Sequence, residues 1–449
     1  MSNAARLFTN GQIIDGTGAA AFHGSVLIEG ESILATGPDA DLLAATKHGV
    51  EIIDIAGKTL MPGLIDAHVH STFDDAAGHD ELFYHRRPGM AAITTVRNVR
   101  KMLTAGVTGF FDVDSIFDLG IDIKEAIQHG VIEGPRMAAG SYALMTSVGG
   151  AAGRLMPDKG TMAYARLVSG KDEIVAEVRR QVKQGADWIK VHVTGSLSHR
   201  RSEGELITFT KEELRLITDV AHDMGVQVAG HCRSAKSVAV TCEAGFDQII
   251  HATFMDDAAI DALLKCGAHV VPALTFQANL MEFGDAIHAS PALQDIFRNE
   301  IAISAKAFRK AYDAGVPILT GSESGFSVTP YGDWHYREME VFVKYLGLTP
   351  LQAIQCATEN GALCLRMKDQ VGTIQAGRLA DMLIVNGDPS QDVTILGKRD
   401  KLHAVLKGGR FIDLGREELP RTNMPDWRCH DFGEILTQDI VRNARGGSF

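Results

Sequence analysis

Short apolar runs at 11–16, 25–30, 33–37 and 51–55, rich in Ile, Val and Leu and bounded by Gly and Asp, open the chain. Runs punctuated in this way predict the strands of a small sheet. Comparable runs return at 372–374, 381–385 and 404–407, so that sheet is expected to draw on both ends of the chain. Between them the pattern changes. Apolar stretches at 107–112, 136–139, 188–193, 226–231, 248–251, 269–273 and 318–321 predict strands. Amphipathic segments at 172–185, 211–224, 234–244, 256–265 and 293–314 predict the helices that separate most of them.

Strand followed by helix, repeated, implies a parallel sheet covered on both faces. About eight such units over roughly 300 residues predict an α/β fold, a (β/α)8 TIM barrel with a small β-sandwich domain formed from both chain ends. The expected boundaries are 1–60 plus 366–420 for the sandwich, 61–365 for the barrel and 421–449 for a C-terminal arm of unassigned role. A doubly wound dinucleotide fold would want G-x-G-x-x-G between a strand and a helix, and none is present; a Walker-type phosphate loop is absent too.

Composition narrows the partners. With 449 residues, 45% hydrophobic and 22% charged, the chain can bury a full core and is not a disordered polymer. A formal net charge of −12, spread without long acidic runs, argues against nucleic acid and against anionic membranes, leaving a small-molecule partner. The six cysteines (Cys232, Cys242, Cys266, Cys356, Cys364, Cys429) include no C-x-x-C pair and suit free thiols in a reducing compartment. The first residues carry no apolar leader, and no run approaches the roughly 18 residues of a spanning helix, so a cytoplasmic location is expected.

In a barrel, reacting groups gather at the C-terminal ends of the strands. His68 and His70 close the run Met61-Pro62-Gly63-Leu64-Ile65-Asp66-Ala67-His68-Val69-His70. At i and i+2 on a strand, both imidazoles share one face and can aim at one cation, although His-x-His alone also describes ordinary surface pairs. Lys190 lies inside the apolar run Asp187-Trp188-Ile189-Lys190-Val191-His192-Val193. A buried ammonium must be partnered, lose its proton or be modified, and a neutral lysine amine can take up CO2 as an anionic carbamate. His231 and His251 end two successive predicted strands, and neutral imidazole is a common transition-metal ligand. Glu323, after 318–321, offers a carboxylate able to ligate a cation or accept a proton, or simply to cap the next helix.

Together these pieces resemble the metal-dependent amidohydrolase superfamily. The likeness includes the Pro-Gly-Leu-Ile-Asp-Ala-His-Val-His opening and the closing stretch Ala357-Thr358-Glu359-Asn360-Gly361-Ala362 through Gly372-Thr373-Ile374-Gln375-Ala376-Gly377-Arg378-Leu379-Ala380-Asp381-Met382. The Ile189-Lys190 strand is similar to the branch of imidazolonepropionase-like proteins, Xaa-Pro dipeptidases and ochratoxin-type amidases. The resemblance implies two divalent metal ions, most often zinc, with Lys190 carbamylated by CO2 and bridging. It assigns His68, His70 and Glu323 to one ion and His231 and His251 to the other. It further implies a metal-activated water that attacks an amide, lactam, carbamate or lactone carbonyl, with Glu323 relaying the proton, and association into homo-oligomers.

Three positions depart from the family pattern. Gly321-Ser322-Glu323 replaces Gly-Thr-Asp, so a longer acid must reach the centre. Val148-Gly149-Gly150-Ala151 replaces a Gly-Gly-His, and Phe111-Asp112 an Arg-Asp. Two polar groups near the substrate are lost, which turns the expectation from an ordinary dipeptidase toward a bulkier or more apolar amide: an N-acyl amino acid, an arylamide or a carbamate. Glu323 also leaves open a mononuclear or non-hydrolytic member (decarboxylase or hydratase), or a lactonase. Candidate substrate contacts are Tyr142, His192, Ser196, His199, Arg200 and Tyr331, with His79, His85, Arg86 and Arg87 in a stretch that suits a lid.

Overall fold

The computed structural model describes residues 5–78, 87–149, 164–195, 206–416 and 435–446. Its chain ends meet in one eight-stranded sheet. The hydrogen-bonded order runs Arg410–Phe411, Leu402–Lys407, Met382–Val385, Thr59–Pro62, Ala5–Ile13, Phe22–Glu29, Ser32–Thr36, with Glu51–Asp54 added in parallel to Ala5–Ile13. Alternation of side chains along the strands gives the sheet two apolar faces. Phe8, Val26, Ile28, Leu60, Met382 and Ile384 pack on one side, while Leu7, Leu27 and Ala35 pack with Ala40 and Ala44 of the helix Pro38–Ala45 on the other. The strands expected to form a sandwich are thus joined in one continuous ladder. The run 372–374, expected as a strand, forms a bend in which Gly372 takes a left-handed backbone.

The middle of the chain forms two parallel sheets. One joins Leu64–Val69, Val107–Asp112 and Arg136–Ala139; the other runs Ala165–Leu167, Ala143–Met145, Trp188–His192, Gln227–Ser234, Gln248–Phe254, His269–Val271. Hydrogen bonds link them on both sides. Asp187 N donates to Ala139 O at 2.8 Å; across the other gap, Leu319 N donates to Val270 O at 2.9 Å and Ala67 N to Thr320 O at 2.9 Å. The segment expected as a strand at 318–321 therefore lies between strands, but it makes only isolated bridges. Strand residues here are buried on both faces, which explains their continuous apolar runs.

Local signals set the helices. Lys211–Asp223 starts on a capping box in which Thr210 and Glu213 exchange side-chain and backbone bonds, and it buries Leu214, Ile217, Thr218 and Ala221, one face at helical spacing. Ala235–Ala244 and Asp257–Cys266 begin on Ser234 and Asp256 caps and stop at left-handed Gly245 and Gly267. Lys171–Gln184 and Pro291–Asp313 complete the expected set, while Pro88–Thr104, Leu119–Gln128, Thr275–Phe283 and Pro350–Ala357 are additional. Two predicted strands run further than expected, to Ser234 and Phe254, so His231 and His251 lie inside them.

Residues 435–446 return to the same chain. Leu436 is buried, its N donating to Ser327 O at 2.7 Å and its carbonyl accepting from Trp334 Nε1 at 2.6 Å, and the Arg445 guanidinium sits 4.7 Å from the Phe283 ring centroid. Among the described residues no cysteine is paired and no helix is long and apolar enough to cross a membrane.

Candidate active site

Alternation along Leu64–Val69 points Asp66 and His68, and His70 just beyond, to one side. Asp66 fastens this strand to the segment carrying Glu323. Its Oδ1 accepts from Ser322 N at 2.9 Å, and its Oδ2 lies 2.8 Å from His335 Nδ1. His335 Nε2 accepts from Gly332 N at 3.1 Å, so the proton of this imidazole resides on Nδ1 and donates to Asp66. Glu323 N donates to His68 O at 2.8 Å and Glu323 O accepts from Thr329 Oγ1 at 2.7 Å.

Gly321 lets these segments approach. A Cβ there would stand 2.5 Å from Val271 Cγ1 and 2.8 Å from His68 Cβ. Gly321→Ala is therefore expected to cost about 1–3 kcal/mol by overpacking, read as a lowered denaturation midpoint. A midpoint equal to that of the unsubstituted chain would show that the contact is relaxed.

The remaining histidines come from neighbouring parallel strands. Register sets His192 beside His231 and Cys232 beside His251. Ring centroids lie 5.0 Å apart for His68 and His70, 5.2 Å for His68 and His251, 4.5 Å for His231 and His251, and 5.0 Å for His192 and His231. The imidazoles thus form an arc in the order His70, His68, His251, His231, His192. Asp114 closes it, with Oδ1 2.7 Å from His70 Nδ1 and Oδ2 3.3 Å from His192 Nε2.

Lys190, 1% exposed, couples electrostatically to this ring and to Glu323. Burial lowers its pKa, against the opposing pull of Asp114 and Glu323. Burial and the neighbouring Lys190 charge push His68 well down, and burial beside His231 does the same to His251, which keeps both imidazoles neutral. Glu323 is driven up to about 8 by burial, against the Lys190 and Arg233 charges. For Asp114 burial raises the pKa, but His70 and the hydrogen bond from His192 outweigh it and hold the carboxyl well below its ordinary range.

The donors fit a divalent cation. Ligand atoms of His68, His251 and Glu323 all lie within 4.8 Å of one another. His68 Nδ1 is buried with no hydrogen-bond partner, the condition of a nitrogen kept for a cation. His70 and His231 adjoin this trio without joining its tight set. Glu323 and His251 both take left-handed backbones, φ 55° and 73°, uncommon for residues with a Cβ and typical of places where a site imposes strain.

The expected substrate contacts divide. His192 lies on the ring. Tyr142 is buried, with its ring 4.5 Å from the Arg166 guanidinium and 5.6 Å from that of Arg180. Tyr331 is buried as well; its hydroxyl donates to His70 O and accepts from Asp74 N at 3.2 Å, committing it to the backbone. Ser196, His199, Arg200, His79, His85 and Arg86 lie outside the described residues, whereas Arg87 precedes the helix Pro88–Thr104. Sequence reading overlooked Asp66, Asp114 and His335. Asp66 alternates with His68 along its strand, a signal that was available.

The sequence profile described as the amidohydrolase family matches residues 59–412. Ochratoxinase of Aspergillus niger is 26% identical over 430 residues, covering 90% of this chain and 85% of that protein. Imidazolonepropionase of Cutibacterium acnes is 26% identical over 419 residues, covering 88% and 92%. The crystal structure of a Xaa-Pro dipeptidase with bound methionine in the active site superposes with a TM-score of 0.76 at 28% identity, covering 91% of this chain and 100% of that one.

Proposed function

Because the chain belongs to the amidohydrolase family, we propose that it is a metal-dependent hydrolase cleaving the C–N bond of a small-molecule amide. The substrate classes proposed are N-acyl amino acids, arylamides and carbamates. The observation that carries this reading is the donor set of His68, His251 and Glu323, whose ligand atoms lie within 4.8 Å of one another, with both imidazoles and the adjacent Lys190 buried. The names of the relatives, an ochratoxinase, an imidazolonepropionase and a Xaa-Pro dipeptidase, favour amide hydrolysis as the reaction type. The linked parallel sheets support a closed (β/α)8 barrel, whose strands would carry the ring of histidines.

His68, His70, His231, His251 and Glu323 would hold two divalent ions, zinc being the first candidate, with carbamylated Lys190 between them. Cations in such a site lower the pKa of water from 15.7 toward about 7 and polarise a carbonyl. The chain's own groups supply the rest. Lys190, whose pKa burial lowers, can add CO2 through its neutral amine, releasing one proton and gaining an anionic carboxylate. Glu323, with its affinity for protons raised, accepts a proton from the attacking water and passes it to the departing nitrogen. Asp66 and Gly321 hold the segment bearing Glu323 against the strand Leu64–Val69, so these transfers occur over a fixed distance.

The test is a screen of N-acyl amino acids, arylamides, carbamates, lactones and Xaa-Pro dipeptides with metal-replete protein, beside metal counting. Amide turnover abolished by a chelator and restored by zinc, with about two ions per chain, is the expected result. One ion per chain would favour the mononuclear reading that Glu323 raises. Turnover unaffected by complete metal removal would refute the function.

A further inference from the structure

One carboxylate completes the ring of imidazoles, and its partners determine where two of the ring's protons reside. Asp114 is fully buried just past the strand Val107–Asp112, and an ionised carboxylate can only accept hydrogen bonds. His70 must therefore donate from Nδ1 and His192 from Nε2, the atoms that face the two oxygens at 2.7 and 3.3 Å. The same geometry leaves Nε2 of His70 as the nitrogen not taken by the carboxylate. The His70 ring is held from other sides by Phe73, stacked with centroids 4.2 Å apart, and by Phe326, edge-on at 5.7 Å. The carboxylate thus selects the tautomer while the aromatic rings set the plane.

We infer that Asp114 is a positioning residue of the metal centre, clamping His70 and His192 with its two oxygens so that His70 presents Nε2 to a cation. It acts through the histidines, since both of its oxygens are committed to them. An orienting carboxylate behind a metal-binding imidazole also raises the basicity of the ligand, and its loss typically weakens metal binding about 10–100-fold. The inference rests on the proposed metal-binding function, but its first consequence, the tautomer of His70, is a property of the metal-free chain.

The experiment uses the full-length protein and the variants Asp114→Asn and Asp112→Asn. Asp112 is the control: an equally buried carboxyl two residues away that accepts from Ser71 N at 2.7 Å and faces neither imidazole. Zinc affinity is measured by competition with a chromophoric chelator, and histidine tautomers by 15N NMR of the metal-free protein. Expected are an Nδ1-protonated His70 in the unsubstituted chain, loss of that single tautomer in Asp114→Asn, and zinc bound about 10–100-fold more weakly by this variant alone. An Asp114→Asn protein with unchanged tautomers would overturn the inference. So would zinc affinity within threefold of the unsubstituted chain, or an equal loss in Asp112→Asn. A chain that binds no zinc yet shows the tautomer change would refute the metal-dependent function and leave the clamp standing.

Discussion

Lys190→Ala is expected to lose most of its bound metal and to lower kcat/KM by about a thousandfold or more, since several kcal/mol of charge stabilisation would leave with the cations. The lysine is buried in an apolar strand, where an ammonium is costly and the neutral amine is favoured. It stands beside Asp114, Glu323, His68 and His251, the position from which an anionic adduct would meet cations held by those groups. Metal counting and steady-state kinetics check the first part of this prediction. Two further observations separate a carbamate from a merely structural lysine: bicarbonate should speed reconstitution of the unsubstituted apoprotein, and a short carboxylic acid should restore some metal and turnover to Lys190→Ala by filling the space left behind. Full metal occupancy and full turnover in the variant would exclude the bridging role.

Glu323→Gln is expected to fold normally and to slow hydrolysis by about 10²–10⁴-fold, the range for removal of a positioned acid–base group. The fold should survive because the backbone bonds at this residue, to His68 O and from Thr329, do not involve the carboxyl. Turnover and the denaturation midpoint, measured together, distinguish the outcomes. An unchanged rate would remove Glu323 from the chemistry, and a collapsed midpoint would show that the carboxylate serves the fold. The left-handed backbone at Glu323 accompanies a side chain one methylene longer than the family's aspartate, yet its oxygen still lies with the ligand atoms of His68 and His251.

What the sequence made legible was local: apolar runs that become strands and the i, i+2 spacing of His68 and His70. His68 and His70 on one face follow from their spacing and Lys190 from its place inside an apolar run, while their convergence was expected from the family resemblance. What stayed hidden depends on contacts between distant residues. Asp114 meets His70 across 44 positions and His192 across 78, and no local pattern reports such a meeting. Strand ends were misjudged at His231 and His251 for a related reason. Arg233 and Ser234 after His231 looked like a terminus, but Arg233 is held by Glu300 and Thr253 and the strand continues to Ser234. Pro88–Thr104 was missed because its mean hydropathy is near neutral and two threonines interrupt the apolar stripe, although it buries Ala91, Thr95, Asn98, Val99 and Met102 on one face.

The eight-stranded sheet carries a consequence for synthesis on the ribosome. Thr59–Pro62 lies in its interior, between Ala5–Ile13 and Met382–Val385, and its partner on the second side, Met382 opposite Pro62, emerges about 320 residues later. At ~5–20 residues per second the nascent polypeptide carries that open apolar edge for roughly a quarter of a minute to a minute. An unpaired edge of this kind invites pairing with another chain. Slow translation or crowded polysomes should therefore favour aggregation through the N-terminal strands before the part that carries the histidine ring has assembled, and a holdase that covers them should raise the soluble yield.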